Sequence, residues 1–276
     1  MLAKEANSET KIVAVTGGSD GLGKAIVTAY AKTGATVVML ARNEQRLSEA
    51  AQMLSGAGHN VAPIVADVTD DASVKNAVAE IESKHGRLDV WVNNVGKSTR
   101  ASVMDCSIEL YDELMQLNFY SAVRCTQFAL PLLKQSSGSL INIGSLASKT
   151  AWPWMAPYST SKHALAAYTQ QLRLEGPKNV NFLHVMPGPI KRADAGRRYD
   201  TDGASGNISD AARKPGAGAK VKGIDPQELA EKIVDAQRRR RDELMVPSKS
   251  RILFAIAQLS PTAGDWLLKR FTPDND

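Results

Sequence analysis

Tyr158 and Lys162 stand four residues apart in the segment APYSTSKHALAAYTQQLRLEG, residues 156–176. On a helix, positions i and i+4 share a face, so a phenol and an ammonium group would meet at one site. The pairing suits proton transfer. A tyrosine ionises at about pH 10 and must come closer to 7 to exchange protons at neutrality. Those three units amount to about 4 kcal/mol, and one cation about 4 Å away in an effective dielectric near 20 supplies as much. One lysine therefore suffices. The spacing also arises by chance, so the pair needs a context.

A glycine-rich loop provides one. Thr16-Gly-Gly-Ser-Asp-Gly-Leu-Gly23 follows an apolar run and opens a helical one. Its glycines, Gly17, Gly21 and Gly23, allow a tight turn and close approach of a ligand to the backbone. Amides at the helix start, with its dipole, favour a phosphate. The next apolar run ends in Leu40-Ala41-Arg42-Asn43 without a carboxylate. NAD-binding sheets commonly carry an acidic residue here for the ribose 2′-hydroxyl, whereas an arginine accommodates the 2′-phosphate of NADP. Arg42 thus favours NADP(H) over NAD(H). Asp20 weighs the other way, since a carboxylate in the glycine loop would repel the extra phosphate.

These groups need a scaffold that brings residues 16 to 190 to one place. Seven β-rich runs, at 11–16, 36–40, 61–66, 88–92, 139–144, 180–186 and 243–246, alternate over most of the chain with helical patterns. Several are nearly continuous apolar stretches, as strands buried on both faces require. Gly34, Gly56 and Gly86 are expected as C-terminal caps of the first three helices. The pattern predicts an α/β fold: a single doubly wound parallel sheet with helices on both faces, reached by right-handed crossovers.

Composition agrees. The 276 residues are 43% hydrophobic and 23% charged, values of a soluble globular protein, and folding at this length buries roughly three quarters of the chain's surface. Cys106 and Cys125 lack metal-ligand spacing and form no disulfide framework, so no metal is expected and a reducing compartment is favoured. The N-terminus lacks the apolar core of a signal peptide, and no run reaches the roughly 18 apolar residues that span a bilayer. The expected location is cytoplasmic, with membrane association through the tail as an option. The net charge of +5 and the run Arg238–Arg241 raise the question of nucleic acid. The run ends a helix-like segment, where cations complement the dipole, and no nucleic-acid partner is expected.

Taken in order, TGGSDGLG (16–23), Asp67-Val68-Thr69, NNVG (93–96), Asn118 in LMQLNF, GSLAS (144–148), YSTSK (158–162) and PGPI (187–190) resemble the short-chain dehydrogenase/reductase family over roughly residues 10–190. The resemblance implies a single-domain Rossmann-type fold and reversible hydride transfer between nicotinamide and a carbonyl or secondary alcohol. It makes Tyr158 the general acid/base, and Lys162 the residue that lowers its pKa and bonds the nicotinamide ribose. Ser145 becomes the anchor of the substrate carbonyl oxygen and Asn118 the holder of a water beside the lysine. The cofactor would meet Gly17, Ser19, Gly21, Leu22, Gly23, Arg42, Asp67, Val68, Asn94, Gly96, Tyr158, Lys162, Pro187, Gly188 and Ile190. Asp67 would face the adenine and Pro187, Gly188 and Ile190 the nicotinamide. Ser145 and Asn118 have a plainer alternative as caps. Val95 replaces the usual alanine of NNAG, and Lys191-Arg192 stand where a threonine often follows PGPI. Members of the family are usually dimers or tetramers, so a homodimer or homotetramer is expected.

Residues 1–10 are expected as an N-terminal tail, 11–247 as the catalytic domain and 248–276 as an extension. Within the domain, 191–223 is irregular, with eight Lys/Arg and four Asp/Glu, and is expected to be a substrate loop or a solvated insertion. Its basic residues would suit an acidic substrate such as an acyl carrier or CoA thioester. Trp152 and Trp154 either line an apolar pocket or pack. In the extension, Trp266, Leu267, Leu268 and Phe271 with Lys269 and Arg270 form an amphipathic stretch that either touches a membrane interface, packs, or meets a second subunit. Together with LARNEQRL, that tail resembles family reductases of lipid-like substrates, including 3-ketosphinganine reductases. A regulator that binds NADP without catalysis is the alternative function; the intact set Asn118, Ser145, Tyr158 and Lys162 weighs against it.

Overall fold

The computed structural model describes residues 10–192 and 223–271. Seven strands form one parallel sheet in the order β3-β2-β1-β4-β5-β6-β7. They are β1 (Ile12–Thr16), β2 (Thr36–Ala41), β3 (Val61–Val65), β4 (Val90–Asn93), β5 (Ser139–Ile143), β6 (Asn181–Pro187) and β7 (Glu243–Val246). Every predicted strand is present, displaced by at most two residues at an end. Alternate residues divide between two cores, as the period of a strand demands. Val13, Val15, Met39, Val92, Ile141 and Val185 face one side. Ala14, Leu40, Trp91, Leu140 and Phe182 face the other.

On the first face lie α1 (Gly21–Ala31), α2 (Glu44–Gly56) and α7 (Pro226–Arg238). The second carries α3 (Asp71–His85), α5 (Ser121–Gln135) and α6 (Ala156–Glu175). A short α4 (Ile108–Met115) runs into α5 through a single π turn, Gln116–Tyr120. Two helices, α8 (Ser250–Leu259) and α9 (Pro261–Phe271), follow β7.

The helices start where side chains can satisfy free backbone amides. Asn43 Oδ1 accepts from Arg46 N, Asp70 Oδ1 from Ser73 N, and Asp225 Oδ1 from Gln227 N. Gly86 caps α3 in the left-handed conformation at φ 66°, and Gly34 holds φ 84° just beyond α1. Gly56 is not a cap: it is the last residue of α2, and Gly58 makes the left-handed turn at φ 82°. The second glycine of Gly56-Ala-Gly58 ends the helix because only there does the chain reverse.

The outer strand β3 carries Pro63, opposite Met39 of β2 and exposed. The arginine run has structural employment. Arg239 pairs with Asp235, and Arg240, at φ 49°, donates to the carbonyls of Ser137 and Asn179, closing the N-terminal ends of β5 and β6. The extension packs through Phe254 and Leu268, with Gly264 against Ala257, and leaves Ile252, Leu259 and Trp266 exposed. Among the described residues no helix is long and apolar enough to cross a membrane. Most of the expected substrate loop, and the tail at 1–9, lie outside the described residues.

Candidate active site

The chain leaves β1 outward to β3 and returns to β4, so the C-terminal ends of β1 and β4 border the crevice where ligands of such sheets bind. The glycine loop fills that crevice. Gly17 and Gly21 have φ of 65° and 51°, conformations that side chains resist. A Cβ on Gly23 would lie 2.0 Å from the Gly17 carbonyl oxygen and 2.7 Å from Asn94 Nδ2, so the turn closes only around glycine. A Cβ on Gly21 would meet nothing within 4 Å; that side is open to a ligand. Leu22 packs against the core, and Ser19 is half-buried.

Asn94 acts as a brace. Its Nδ2 donates to the Thr16 carbonyl at 2.9 Å, and its backbone amide donates to Thr16 Oγ1 at 2.9 Å. The Thr16 hydroxyl in turn donates to the Val92 carbonyl. The ends of β1 and β4 are locked together. Asp20 is the N-cap of α1, its carboxylate accepting from Gly21 N at 2.7 Å. That bond gives Asp20 a helix-capping place in the loop, beyond any effect on phosphate.

Arg42 lies exposed just after β2. Asp67 Oδ1 accepts from the Thr69 hydroxyl and amide at 2.7 and 2.8 Å. These bonds first, and the charges of Arg42 and Arg124 after them, hold its carboxyl below the usual carboxylate range. Val68 is buried, and its carbonyl accepts from Arg124 Nη1.

The Tyr158–Lys162 pair is set by α6. Lys162 is 4% exposed and its Nζ donates to the Ile143 carbonyl at 2.8 Å, at the end of β5. Nζ lies 5.9 Å from the centre of the half-buried Tyr158 ring. Burial pulls the lysine pKa down to about 8. Gly96 makes room for this cluster, since a Cβ there would be 3.0 Å from Asn118 Oδ1 and 3.3 Å from Lys162 Nζ.

Asn118 sits buried in the π turn, a distortion often found at functional sites. Its Oδ1 accepts from Lys97 N at 2.8 Å, while its Nδ2 donates to the Lys97 carbonyl and to Ser161 Oγ, both at 2.9 Å. It therefore ties the segment after β4 to α6. Ser145 begins a 3-10 turn, Leu146–Ser148: its Oγ accepts from Ala147 N at 3.1 Å and its amide donates to Ser148 Oγ at 3.2 Å. The hydroxyl keeps its own proton for another acceptor.

Pro187 ends β6, and Gly188 N donates to the Val246 carbonyl. Ile190 pairs with Ile224 in a short parallel bridge, with Lys191 N donating to the Ile224 carbonyl. Trp154 has φ 64°, and its carbonyl accepts from Ala101 N.

Behind these residues runs a buried polar chain that single-residue reasoning missed. Trp91 Nε1 donates to Asn93 Oδ1, Asn93 Nδ2 to Asn142 Oδ1, and Asn142 Nδ2 to Thr169 Oγ1, at 2.7 to 2.9 Å. It fastens α6 to β4 and β5. Only the polar residues inside apolar runs, Asn93 and Asn142, hint at it in the sequence.

The family model for short chain dehydrogenases matches residues 11–202. A dehydrogenase/reductase SDR family protein 7-like of Anopheles gambiae is 31% identical over 268 residues, covering 94% of this chain and 82% of its own length. Two solved structures share the fold. An alcohol dehydrogenase from the archaeon Thermococcus sibiricus, complexed with 5-hydroxy-NADP, has TM-score 0.72 at 24% identity, covering 86% of this chain and 96% of its own. L-sorbose reductase from Gluconobacter frateurii, complexed with NADPH and L-sorbose, has TM-score 0.73 at 27% identity, covering 86% and 94%. With that match over most of its length, this Rossmann-type chain belongs to the short-chain dehydrogenase/reductase family of oxidoreductases.

Proposed function

We propose that the protein is an NADP(H)-dependent oxidoreductase that interconverts a carbonyl and a secondary alcohol, with Tyr158 as general acid/base. The observation that carries this reading is the convergence of Lys162, Asn118 and Gly96 beside Tyr158 at the ends of β4 and β5. The cradle fits a dinucleotide: positive-φ glycines, a helix N-terminus and an unobstructed approach at Gly21. Gly17, Ser19, Gly21, Leu22 and Gly23 would line the pyrophosphate. Asp67 and Val68 would meet the adenine. Asn94, Gly96, Pro187, Gly188 and Ile190 would flank the nicotinamide half, Asn94 chiefly by holding the loop. Arg42 would hold the 2′-phosphate, and the NADP-type ligands of the two structural neighbours support that choice.

When bound, NADPH supplies the hydride to the carbonyl carbon. Ser145 donates its hydroxyl proton in a hydrogen bond to the substrate oxygen and steadies its growing charge. Tyr158 gives its phenolic proton to that oxygen, and the Lys162 ammonium stabilises the phenolate left behind. Asn118, bonded to Lys97 and Ser161, keeps α6 at the distance this transfer needs.

A lipid-like or acyl substrate is supported by the extension. Its exposed Ile252, Leu259 and Trp266 stand beside Lys249, Arg251, Lys269 and Arg270, a composition suited to peripheral contact with an anionic membrane surface. Membership of the family supports a homodimer or homotetramer. The deciding experiment is the initial rate of NADPH and NADH oxidation with β-ketoesters of increasing acyl length, starting from ethyl acetoacetate, with Tyr158→Phe as control. A rate that rises with chain length and prefers NADPH supports the whole reading. No rate with any ketone would leave a nucleotide-binding protein without catalysis.

A further inference from the structure

His184 lies on β6, 1% exposed, between Asn142 of β5 and Glu243 of β7. Among the described residues its Nε2 has no hydrogen-bond partner. A buried polar atom without a partner is costly and uncommon in native proteins, so each one calls for an explanation. The imidazole edge is pressed against Gly144, the residue before Ser145. A Cβ there would stand 2.2 Å from His184 Nε2 and 2.9 Å from Ser148 Oγ. The ring nitrogen and the serine hydroxyl therefore share one small volume beneath the turn that presents Ser145.

Ser148 Oγ already accepts from the Ser145 amide at 3.2 Å. Its own proton is left for another acceptor, and the unpartnered ring nitrogen next to the same point is His184 Nε2. The ring is in the right state to accept. Burial first, then the charges of Lys149, Lys162 and Arg173, hold it neutral with its pKa pulled down to about 3.

We propose that His184 is a positioning residue for Ser145: its Nε2 accepts the Ser148 hydroxyl proton, directly or across one water, and so fixes the turn that aims the Ser145 hydroxyl. Accepting at Nε2 requires the Nδ1–H tautomer. Gly144 is then glycine because the imidazole needs the space beside it. The proposal rests on the reading of Ser145 as the anchor of the substrate carbonyl.

Two measurements test it. Nitrogen NMR of the wild-type imidazole near neutral pH should show the neutral Nδ1–H tautomer, with the Nε2 resonance moving in Ser148→Ala; an Nε2–H tautomer, or an unmoved resonance, overturns the proposal. With ethyl acetoacetate and NADPH, His184→Leu should lower kcat about tenfold or more without weakening NADPH binding, and His184→Gln, which keeps an acceptor, should recover most of the loss. In a Ser145→Ala background, His184→Leu should cost nothing further in kcat. Full turnover of His184→Leu, or an equal further loss in that background, overturns it. Wild-type turnover by Ser145→Ala alone would remove the Ser145 reading itself, and the proposal with it.

Discussion

Lys162 Nζ donates to the Ile143 carbonyl across 2.8 Å, so the ammonium borne by the second turn of α6 is anchored on the last residue of β5. The anchor does not offset burial, which lowers its pKa from 10.5 to about 8. Between those values the unfolded chain binds a proton that the folded protein does not, so this group makes stability rise with pH across that window. Below about 8 the folded state carries the full desolvation cost. Urea denaturation of wild type and Lys162→Met at matched pH isolates the effect, since other groups cancel in the difference. From neutrality to the top of the window, wild type should gain up to about 3 kcal/mol on the variant; parallel curves would show the ammonium to be better solvated.

Tyr158→Phe removes one oxygen from the half-buried ring. Turnover should fall by roughly two to four orders of magnitude, while the NADPH dissociation constant, read by fluorescence, should change little. A variant that keeps most of its rate would move the proton donor elsewhere.

Arg42→Ala should weaken NADPH about ten- to a hundredfold, as loss of charge-assisted bonds to a phosphate does. NADH should be almost unaffected. Equal effects on both nucleotides would mean that Arg42 stacks on the adenine rather than reading the phosphate.

Two glycines of one loop should respond differently. Gly23→Ala puts a Cβ into the Gly17 carbonyl, and should cost more than about 3 kcal/mol and abolish NADPH binding. Gly21→Ala enters open space at φ 51° and should cost about 1 kcal/mol. Thermal melts with and without NADPH separate the cases, and similar losses would contradict the packing.

The apolar runs announced all seven strands because a sheet buried on both faces leaves little room for polar residues. The glycine loop and the Tyr158–Lys162 pair were legible for a related reason: each depends on neighbours close in sequence. What stayed hidden depends on distant ones. The π turn at Asn118 adds one residue to a helix, which no hydrophobic period records. His184 reads as one polar letter inside LHVM until β5 brings Gly144 against it. Gly56 misled because Gly58, two residues on, takes the reversal. The arginine run, which resembles a nucleic-acid patch, is explained partly by the carbonyls of Ser137 and Asn179, which lie 103 and 61 residues of chain before Arg240.

Pro63 governs how copies of the sheet can meet. The carbonyl of Asn60 and the amide of Ala66 both point to β2, so the alternate residues 61, 63 and 65 turn their backbone groups outward. Proline at the middle of these has no hydrogen to offer. A strand arriving at this edge would find the ladder broken at its centre, and unchecked edge-to-edge growth, the route from folded sheets to fibres, is interrupted on that side.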